Sequence, residues 1–158
     1  MAQTNISSTI EAHHGALLTI LKERCYREGN FVLTSGKPSS FYVDVKNASL
    51  HHFGAFTIGQ LVQKRLNLSR FGGVGGPTLG ADPVATAISL SAWSAGIELP
   101  AFIVRKEPKK HGTSQWIEGI ENLTKGSNLL VVEDVVTTGG SSIKSIDLIR
   151  KEGFEVNT

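Results

Sequence analysis

The chain has 158 residues and a mass of 17.0 kDa, with 40% hydrophobic residues, 19% charged residues and a mean hydropathy of −0.02. This length and balance predict a single globular domain and exclude disordered, collagenous, coiled-coil and disulfide-scaffold classes. The formal net charge is only +2, so no global field indicates a nucleic-acid-binding protein. The one cysteine, Cys25, excludes an intrachain disulfide, and its helical pattern predicts a buried packing role.

Targeting signals are not apparent in the sequence. The N-terminal residues are polar and lack the basic-then-apolar pattern of a signal peptide. No uninterrupted apolar run approaches the ~20 residues that a membrane helix requires. We therefore expect a cytoplasmic protein without a membrane partner.

The first 66 residues predict two helices with two short strands between them. Apolar spacing predicts a helix over residues 10–28, closed by Gly29. Strands are expected at 31–33 and 41–45, on either side of a turn, because these stretches are rich in aromatic and β-branched residues. A second helix is expected over 49–66.

After residue 70 the pattern changes to short aliphatic strands that alternate with helices. Strands are expected at 71–74, 101–104, 129–132 and 154–156, and helices at 81–95 and 141–151. Such alternation predicts an α/β fold with a mainly parallel sheet that is flanked by helices on both faces. Because the last strand begins only a few residues before the chain ends, we expect a fragment of a longer protein.

The segment that follows the strand at 129–132 carries the strongest chemical signal. Two acids, Glu133 and Asp134, precede a run of small hydroxyl residues and glycines and then a helix. Residues 137–141 would place backbone N–H groups and hydroxyls around a phosphate at the positive end of that helix. Acids beside a phosphate site suit a sugar phosphate, because its hydroxyls need acceptors. Either half alone is typical of a turn or a helix cap, but the combination favours a binding site.

A second signal is the basic stretch at 105–111. It holds four cations, Arg105, Lys106, Lys109 and Lys110, against a single acid, so this short stretch is more positive than the whole chain. Such a cluster is common in solvated loops, but it is also what a local anionic ligand requires.

Common nucleotide and metal motifs do not fit the sequence. Gly75 and Gly80 have the glycine spacing of a P-loop, but Ala81 and Asp82 follow where Lys and Ser or Thr are required. No dinucleotide-binding glycine motif follows a predicted strand. The two adjacent histidine pairs point to different sides of their helices, so the sequence predicts no protein metal site.

Three motifs together resemble the orotate phosphoribosyltransferases, a family of type I phosphoribosyltransferases. Residues 129–142 resemble the phosphoribosyl-diphosphate signature of type I enzymes. The Arg-Lys-Glu-x-Lys-x-His-Gly run within 104–113 is similar to the flexible catalytic loop of the orotate enzymes. Residues 35–37 and 40–44 resemble their N-terminal base-binding segment. These motifs stand in the family's order and extend over nearly the whole chain.

The resemblance implies a fold and a reaction. The fold would be that of type I phosphoribosyltransferases, with an N-terminal hood segment at residues 1–48, a core at 49–158 and its last strand or strands absent. The reaction would transfer the phosphoribosyl group of 5-phosphoribosyl 1-diphosphate (PRPP) to orotate, giving orotidine 5′-monophosphate and diphosphate in pyrimidine and UMP biosynthesis.

The resemblance also assigns residues to roles. Lys106, Lys109 and His111, with Arg105, would stabilise the leaving diphosphate, and Asp134 the oxocarbenium-like ribose. Phe41, Tyr42 and Thr137 would contact the base. Mg²⁺ would be held mainly by the substrate and water. The residues expected to bind PRPP are Arg105, Lys106, Lys109, His111, Glu133, Asp134, Val135, Val136, Thr137, Thr138, Gly139, Gly140 and Ser141.

The implied partners are orotate, PRPP and a second copy of the chain, since the basic loop of the family reaches into the neighbouring subunit. A nucleic-acid partner is not expected. Three other readings are open: a phosphoribosyltransferase for a purine or uracil, a fragment of a bifunctional UMP synthase, and a non-catalytic regulator that senses PRPP.

Two departures from the family pattern bear on the site. Gly80 stands where many members carry a lysine in the loop that contacts pyrophosphate. An arginine that binds the orotate carboxylate in the family would lie beyond Thr158. We therefore expect the chain to be an incomplete form of the enzyme.

Overall fold

Two separate sheets organise the protein: an antiparallel hairpin and a four-stranded mixed sheet. The computed structural model describes residues 2–33, 36–108 and 115–157, with side chains from residue 10 onward. Within these ranges, no helix is long and apolar enough to span a membrane.

The N-terminal helix ends earlier in the chain than the sequence predicts. Helix α1 (Ala2–Ile20) continues as a π-helical turn (Leu21–Cys25), and strand β1 (Tyr26–Val32) follows directly. The predicted helix therefore extends three residues too far, and the predicted strand at 31–33 is only the end of β1. The cause is tertiary, because Tyr26 to Glu28 pair with strand β2 (Pro38–Val43) across the hairpin. Cross-strand pairing outweighs local helix propensity here.

The base of the hairpin is held by a small apolar cluster. Cys25 is 1% exposed and packs with Ile20 and Ala48, which confirms the predicted burial of its thiol. Burial raises the pKa of this thiol above its usual value. The hairpin is thereby attached to the next helical segment, while both of its strands remain largely exposed.

The helix predicted over 49–66 corresponds to one helix that begins three residues later, and a separate short helix precedes it. Helix α2 (Lys46–Ser49) ends just before helix α3 (His52–Arg65) begins. Between them His51 is extended, and its Nδ1 accepts a hydrogen bond of 3.4 Å from the N–H of Gly54, which caps α3. A Cβ on Gly54 would lie 2.1 Å from the carbonyl oxygen of Ala48, so only glycine permits this close approach.

The main sheet has the order β5–β4–β3–β6. Its strands are β3 (Val74–Pro77), β4 (Ala101–Val104), β5 (Ile117–Glu118) and β6 (Leu130–Val131). Strand β3 is parallel to β4 and β6, whereas β5 is antiparallel to β4, so the prediction of a mainly parallel sheet is confirmed.

Two of the predicted strands of this sheet differ from the structure. Strand β3 begins at Val74, where the sequence pattern predicts that it ends. In place of the predicted strand at 154–156, the structure has one parallel bridge between Asn128 and Glu155 beside β6. The N–H of Leu129 donates to the carbonyl of Glu155 at 2.8 Å, so this segment lies along the edge of the sheet.

Helices cover both faces of the sheet, as predicted. Helix α4 (Ala81–Ser94) and α3 pack on one face, where the buried core comprises Leu68, Val74, Val84, Ala85, Ile88, Ala92 and Leu99. Helix α5 (Gly140–Lys151) packs on the other face, where the buried core comprises Phe102, Val104, Ile117, Leu129, Ile149, Phe154 and Val156.

Two glycines let the central strand approach its neighbours closely. A Cβ on Gly75 would lie 2.2 Å from the carbonyl oxygen of Phe102, and one on Gly76 would lie 2.0 Å from that of Val132. No side chain fits between these backbones. The ends of β3, β4 and β6 are therefore drawn together at one edge of the sheet.

The packing of Phe102 predicts its contribution to stability. Its ring is 1% exposed and lies against Gly75, so Phe102→Ala leaves a cavity that the rigid sheet cannot close. We expect a loss of about 3–5 kcal/mol in the free energy of unfolding, measured by urea denaturation. Leu50→Ala, at a position 72% exposed, is the control and should cost less than about 1 kcal/mol. Equal losses in the two variants would contradict this packing.

Candidate active site

A cleft of about 580 Å³ lies at the carboxyl ends of the parallel strands, where α/β sheets bind ligands. The loops after β3, β4 and β6, the start of α2 and one side of α5 form its walls. The lining residues are Lys46, Pro77, Thr78, Leu79, Gly80, Val104, Arg105, Lys106, Glu133, Asp134, Ser141, Lys144, Ser145 and Leu148. Five of the predicted PRPP-binding residues therefore meet at one cleft: Arg105, Lys106, Glu133, Asp134 and Ser141.

Glu133 is a half-buried acid whose protonation is shifted by its surroundings. Ser142 Oγ donates a hydrogen bond of 3.0 Å to Glu133 Oε2. Burial raises the pKa of Glu133 above its ordinary value of 4.5. Hydrogen bonds from Ser142 and Ser141 partly oppose that rise, while the negative charge of Asp134 adds to it. Burial therefore disfavours the charged form of this carboxyl group, in a site that offers acceptors to a ligand.

Asp134 is an enclosed acid, with its side chain 10% exposed. Its Oδ1 accepts the N–H of Val135 at 2.9 Å. Its Oδ2 lies 4.0 Å from Lys46 Nζ, and that ammonium also pairs with Asp44 at 2.7 Å. Gly80 packs against the same carboxylate, since a Cβ there would lie 2.0 Å from Oδ1. The carboxylate is therefore held from three sides.

The loop before α5 presents an uncapped helix N-terminus to the cleft side of the sheet. Gly139 takes a left-handed conformation with φ of 77°, and α5 begins at the next residue. No described side chain caps this terminus, so its first N–H groups remain available to an anion. Of the predicted phosphate loop, Ser141 lines the cleft itself, while Val135 to Gly140 lie outside its lining. Thr137 is exposed, and its predicted contact with the base stays a prediction.

Two cations enter the cleft from the end of β4. Arg105 lies at its rim with its guanidinium 2.7 Å from Glu118 Oε1 and its N–H bonded to the carbonyl of Trp116 at 2.9 Å. These contacts join the first residue of the basic stretch to residues 116 and 118. Lys106 is exposed and lines the cleft.

The other two predicted leaving-group residues, Lys109 and His111, lie outside the described residues. Their roles therefore stay predictions from the sequence.

The loop after β3 forms the floor between the acids and the cations. The N–H of Thr78 donates to the carbonyl of Val104 at 3.0 Å, and its hydroxyl donates to Asp82 Oδ2 at 2.7 Å. These bonds hold the loop residues Thr78 and Leu79 along the cleft. Gly80 adds no cation there, as the sequence predicts.

Phe41 and Tyr42 lie on the hairpin and do not line the cleft of the described residues. Phe41 is 48% exposed, and its ring stacks on Tyr26 with a centroid separation of 5.9 Å. The ring of Tyr42 lies 5.6 Å from that of Phe31. Adjacent strand residues face opposite sides, so one hairpin face alone cannot present both rings to a base. The contact of Phe41 and Tyr42 with the base therefore stays a prediction.

Sequence reasoning did not find two lysines of the cleft. Lys46 opens α2, and Lys144 lies one turn into α5, three residues after Ser141. Lys144 Nζ lies 5.6 Å from the ring centre of Trp116, at the return of the basic stretch. Helical spacing from Ser141 is a signal that could have indicated Lys144. No local signal indicates that Lys46 reaches the cleft, because Asp134, the cleft acid it approaches, is far away in sequence.

The described residues contain no group of three or more His, Cys, Asp or Glu side chains that could hold a metal ion. The cleft nevertheless offers two carboxylates close together, Glu133 and Asp134. Oxygen donors of this kind suit a hard cation such as Mg²⁺, which usually keeps several waters and substrate oxygens as ligands.

Comparison with known proteins places this geometry in a family. Residues 74–158 match the family model of the phosphoribosyl transferase domain, and the match begins at the first residue of β3. An orotate phosphoribosyltransferase of a Nostoc species is 42% identical over 160 residues, covering 99% of this chain and 77% of the relative. The protein of that name from Pyrococcus horikoshii is 43% identical over 140 residues, covering 87% and 71%.

Solved structures agree with the sequence relatives. The orotate phosphoribosyltransferase of Mycobacterium tuberculosis, in complex with Fe(III) dicitrate, superposes with a TM-score of 0.78 at 38% identity. The match covers 91% of this chain and 79% of that one. The same enzyme with 5-phospho-alpha-D-ribosyl 1-diphosphate gives a TM-score of 0.73 at 35% identity, covering 91% and 78%.

The fold and the cleft are thus those of a type I phosphoribosyltransferase. The chain belongs to the phosphoribosyl transferase family and, within it, to the orotate phosphoribosyltransferases. The family resemblance predicted from three motifs is confirmed, and it is favoured over the purine, uracil and regulator readings.

Gly80→Ala tests the packing that holds Asp134. The new methyl group would overlap the carboxylate, so either the loop or Asp134 must move. We expect a loss of about 1–3 kcal/mol in the free energy of unfolding, measured in urea. Asp134→Ala in the same background should recover most of that loss because it removes the overlap. Gly15→Ala, in an open helical position, is the control and should not destabilise. An undiminished stability of Gly80→Ala would contradict the packing.

Glu133→Gln tests the cost of the half-buried carboxylate. Because burial raises the pKa of Glu133, the native state binds this proton more tightly than the unfolded state, and stability falls as pH rises through the raised pKa. Glutamine keeps an acceptor for Ser142 without the charge. We expect the variant to exceed the parent in free energy of unfolding at about pH 8, with the gain disappearing below the ordinary pKa of 4.5. Urea denaturation across this range measures it, and a gain independent of pH would exclude ionisation as the cause.

Proposed function

We propose that this chain transfers the phosphoribosyl group of PRPP to orotate, forming orotidine 5′-monophosphate and diphosphate. The observation that supports the proposal is the single cleft in which Glu133, Asp134 and Ser141 face Arg105 and Lys106. A site needs hydrogen-bond acceptors and donors of this kind together only when its ligand carries both sugar hydroxyls and phosphates. PRPP has two hydroxyls on its ribose between a phosphate and a diphosphate.

The 5′-phosphate would bind at residues 137–141. The uncapped N–H groups of α5 and the hydroxyls of this loop donate hydrogen bonds to anions, and the helix dipole adds a favourable field. Gly139 allows the tight left-handed turn that leads into the helix. Val135 and Val136 would contribute backbone rather than side-chain contacts.

The ribose hydroxyls would bind to Glu133 and Asp134. As the bond from C1 to diphosphate breaks, positive charge develops on the ribose ring. Asp134 is enclosed and held from three sides, so its carboxylate can stabilise that charge without reorganising. We therefore assign transition-state stabilisation to Asp134.

The diphosphate would leave toward the basic stretch. Lys106, with Lys109 and His111 of the same stretch, would stabilise its growing negative charge, and His111 could also donate a proton to a leaving oxygen. Arg105 would hold the stretch in place through Glu118 and add its charge at the rim. Closure of the stretch over the cleft would exclude water, which otherwise hydrolyses the activated sugar.

Mg²⁺ would be held mainly by substrate oxygens and water, with Glu133 and Asp134 as the acids of this chain that could face it. When bound, the ion would neutralise part of the diphosphate charge. Glu133 and Asp134 would face its water shell, which matches their position at the cleft.

The base would be bound from the side of the hood segment. We assign residues 1–48 to this segment and residues 49–158 to the catalytic core. Phe41 and Tyr42 would offer aromatic surface to the pyrimidine, and Thr137 a hydroxyl. A homodimer in which the basic stretch reaches the neighbouring cleft would complete the site.

The activity test is consumption of orotate by this chain, dependent on both PRPP and magnesium. Adenine, guanine and uracil serve as control bases. We expect PRPP to bind and orotate alone to be consumed. A folded chain that binds PRPP but consumes no base would refute transfer to orotate by this chain. A folded chain without affinity for PRPP would refute the proposed function.

A further inference from the structure

Lys46 connects the hood segment to the catalytic acids. It is the first residue of α2, three residues after the hairpin ends, and its ammonium lines the cleft. Lys46 Nζ lies 2.7 Å from Asp44 Oδ1 and 4.0 Å from Asp134 Oδ2. Among the described residues three ion pairs occur, and two of them meet at Lys46. One of these is the ion pair between the hairpin side of the cleft and the acid loop.

The charge around Lys46 argues against a direct role in binding the diphosphate. One ammonium lies between two carboxylates, so the group as a whole is negative and would repel an anion. Both carboxylates and the phenol of Tyr42 raise the pKa of Lys46, so it stays charged at neutral pH. The cations suited to the diphosphate, Arg105 and Lys106, enter from the end of β4.

The surroundings of Asp134 indicate what Lys46 does instead. The Val135 N–H holds one oxygen of the carboxylate, and Gly80 closes the space beside it. The other oxygen, Oδ2, has Lys46 as its charged neighbour. Asp44 in turn fixes the ammonium through a short ion pair and receives the N–H of Lys46 at 3.2 Å. The orientation of Oδ2 therefore depends on a lysine that is itself fixed.

We propose that Lys46 is a positioning residue that holds the Asp134 carboxylate in the orientation that binds the ribose hydroxyls. The inference rests on the proposed function, because Asp134 is assigned to the ribose there. It adds a role for the hood segment in sugar binding, separate from its contact with the base. Loss of Lys46 would leave the Val135 N–H as the one directional contact of the Asp134 carboxylate, with Gly80 only closing the space beside Oδ1.

The test measures affinity for three probes by isothermal titration calorimetry with magnesium present: PRPP, ribose 5-phosphate and inorganic pyrophosphate. We expect Lys46→Met to weaken PRPP and ribose 5-phosphate about five- to tenfold, while pyrophosphate binding stays within about twofold. Lys46→Arg should restore affinity to within about threefold of the parent. Lys22→Met is the matched control, since Lys22 is exposed on the hood segment and does not line the cleft.

A double variant distinguishes positioning from direct contact. PRPP keeps its phosphate contacts in Asp134→Asn, so its affinity can still be compared there. In that background, adding Lys46→Met should change PRPP affinity less than about twofold. A further loss of fivefold or more would mean that Lys46 contacts the ligand itself, which overturns the proposal.

The single variant can also overturn the proposed role of Lys46. Unchanged ribose 5-phosphate affinity in Lys46→Met, or a loss confined to pyrophosphate, would overturn the positioning role. Circular dichroism checks that each variant is folded, and Lys46→Gln replaces Lys46→Met if the latter is not. If the parent chain itself does not bind PRPP, the proposed function fails rather than the role of Lys46.

Discussion

The close approach of β3 to its two neighbours is the constraint on which the cleft depends. Gly75 and Gly76 leave no room for a side chain between this strand and the carbonyl groups of Phe102 and Val132. The three parallel strands therefore end within one small region. Because each strand end continues into a loop, the loops that carry the floor, the cations and the acids are forced to share a cleft. A wider spacing at β3 would separate groups that must act on one ligand.

The same packing concentrates negative charge at a half-buried position. Glu133 and Asp134 follow β6 next to each other, and neither is fully solvated. Burial raises the pKa of Glu133, and hydrogen bonds from α5 only partly offset it. A fold selected for stability alone would place apolar or neutral groups here. The acids are consistent with a site that binds hydroxyls and stabilises positive charge, at some cost to the folded state.

Local patterns predicted the strand at 101–104 and the helices at 81–95 and 141–151 almost to the residue. They failed where long-range pairing decides the structure. Strand β3 contains Gly75 and Gly76, which have poor strand propensity, so its position depends on β4 and β6. The acid loop was predictable because its residues are contiguous. Lys46 was not, because its partner Asp134 lies 88 positions away in the sequence.

The two sides of the cleft are held by separate ion pairs. Arg105 pairs with Glu118 and so joins the start of the basic stretch to strand β5, and Lys106 beside it lines the cleft. Lys46 pairs with Asp44 and Asp134 and so joins the hairpin side to the acid loop. A shift of the hairpin relative to the acid loop would therefore displace the cation next to Asp134.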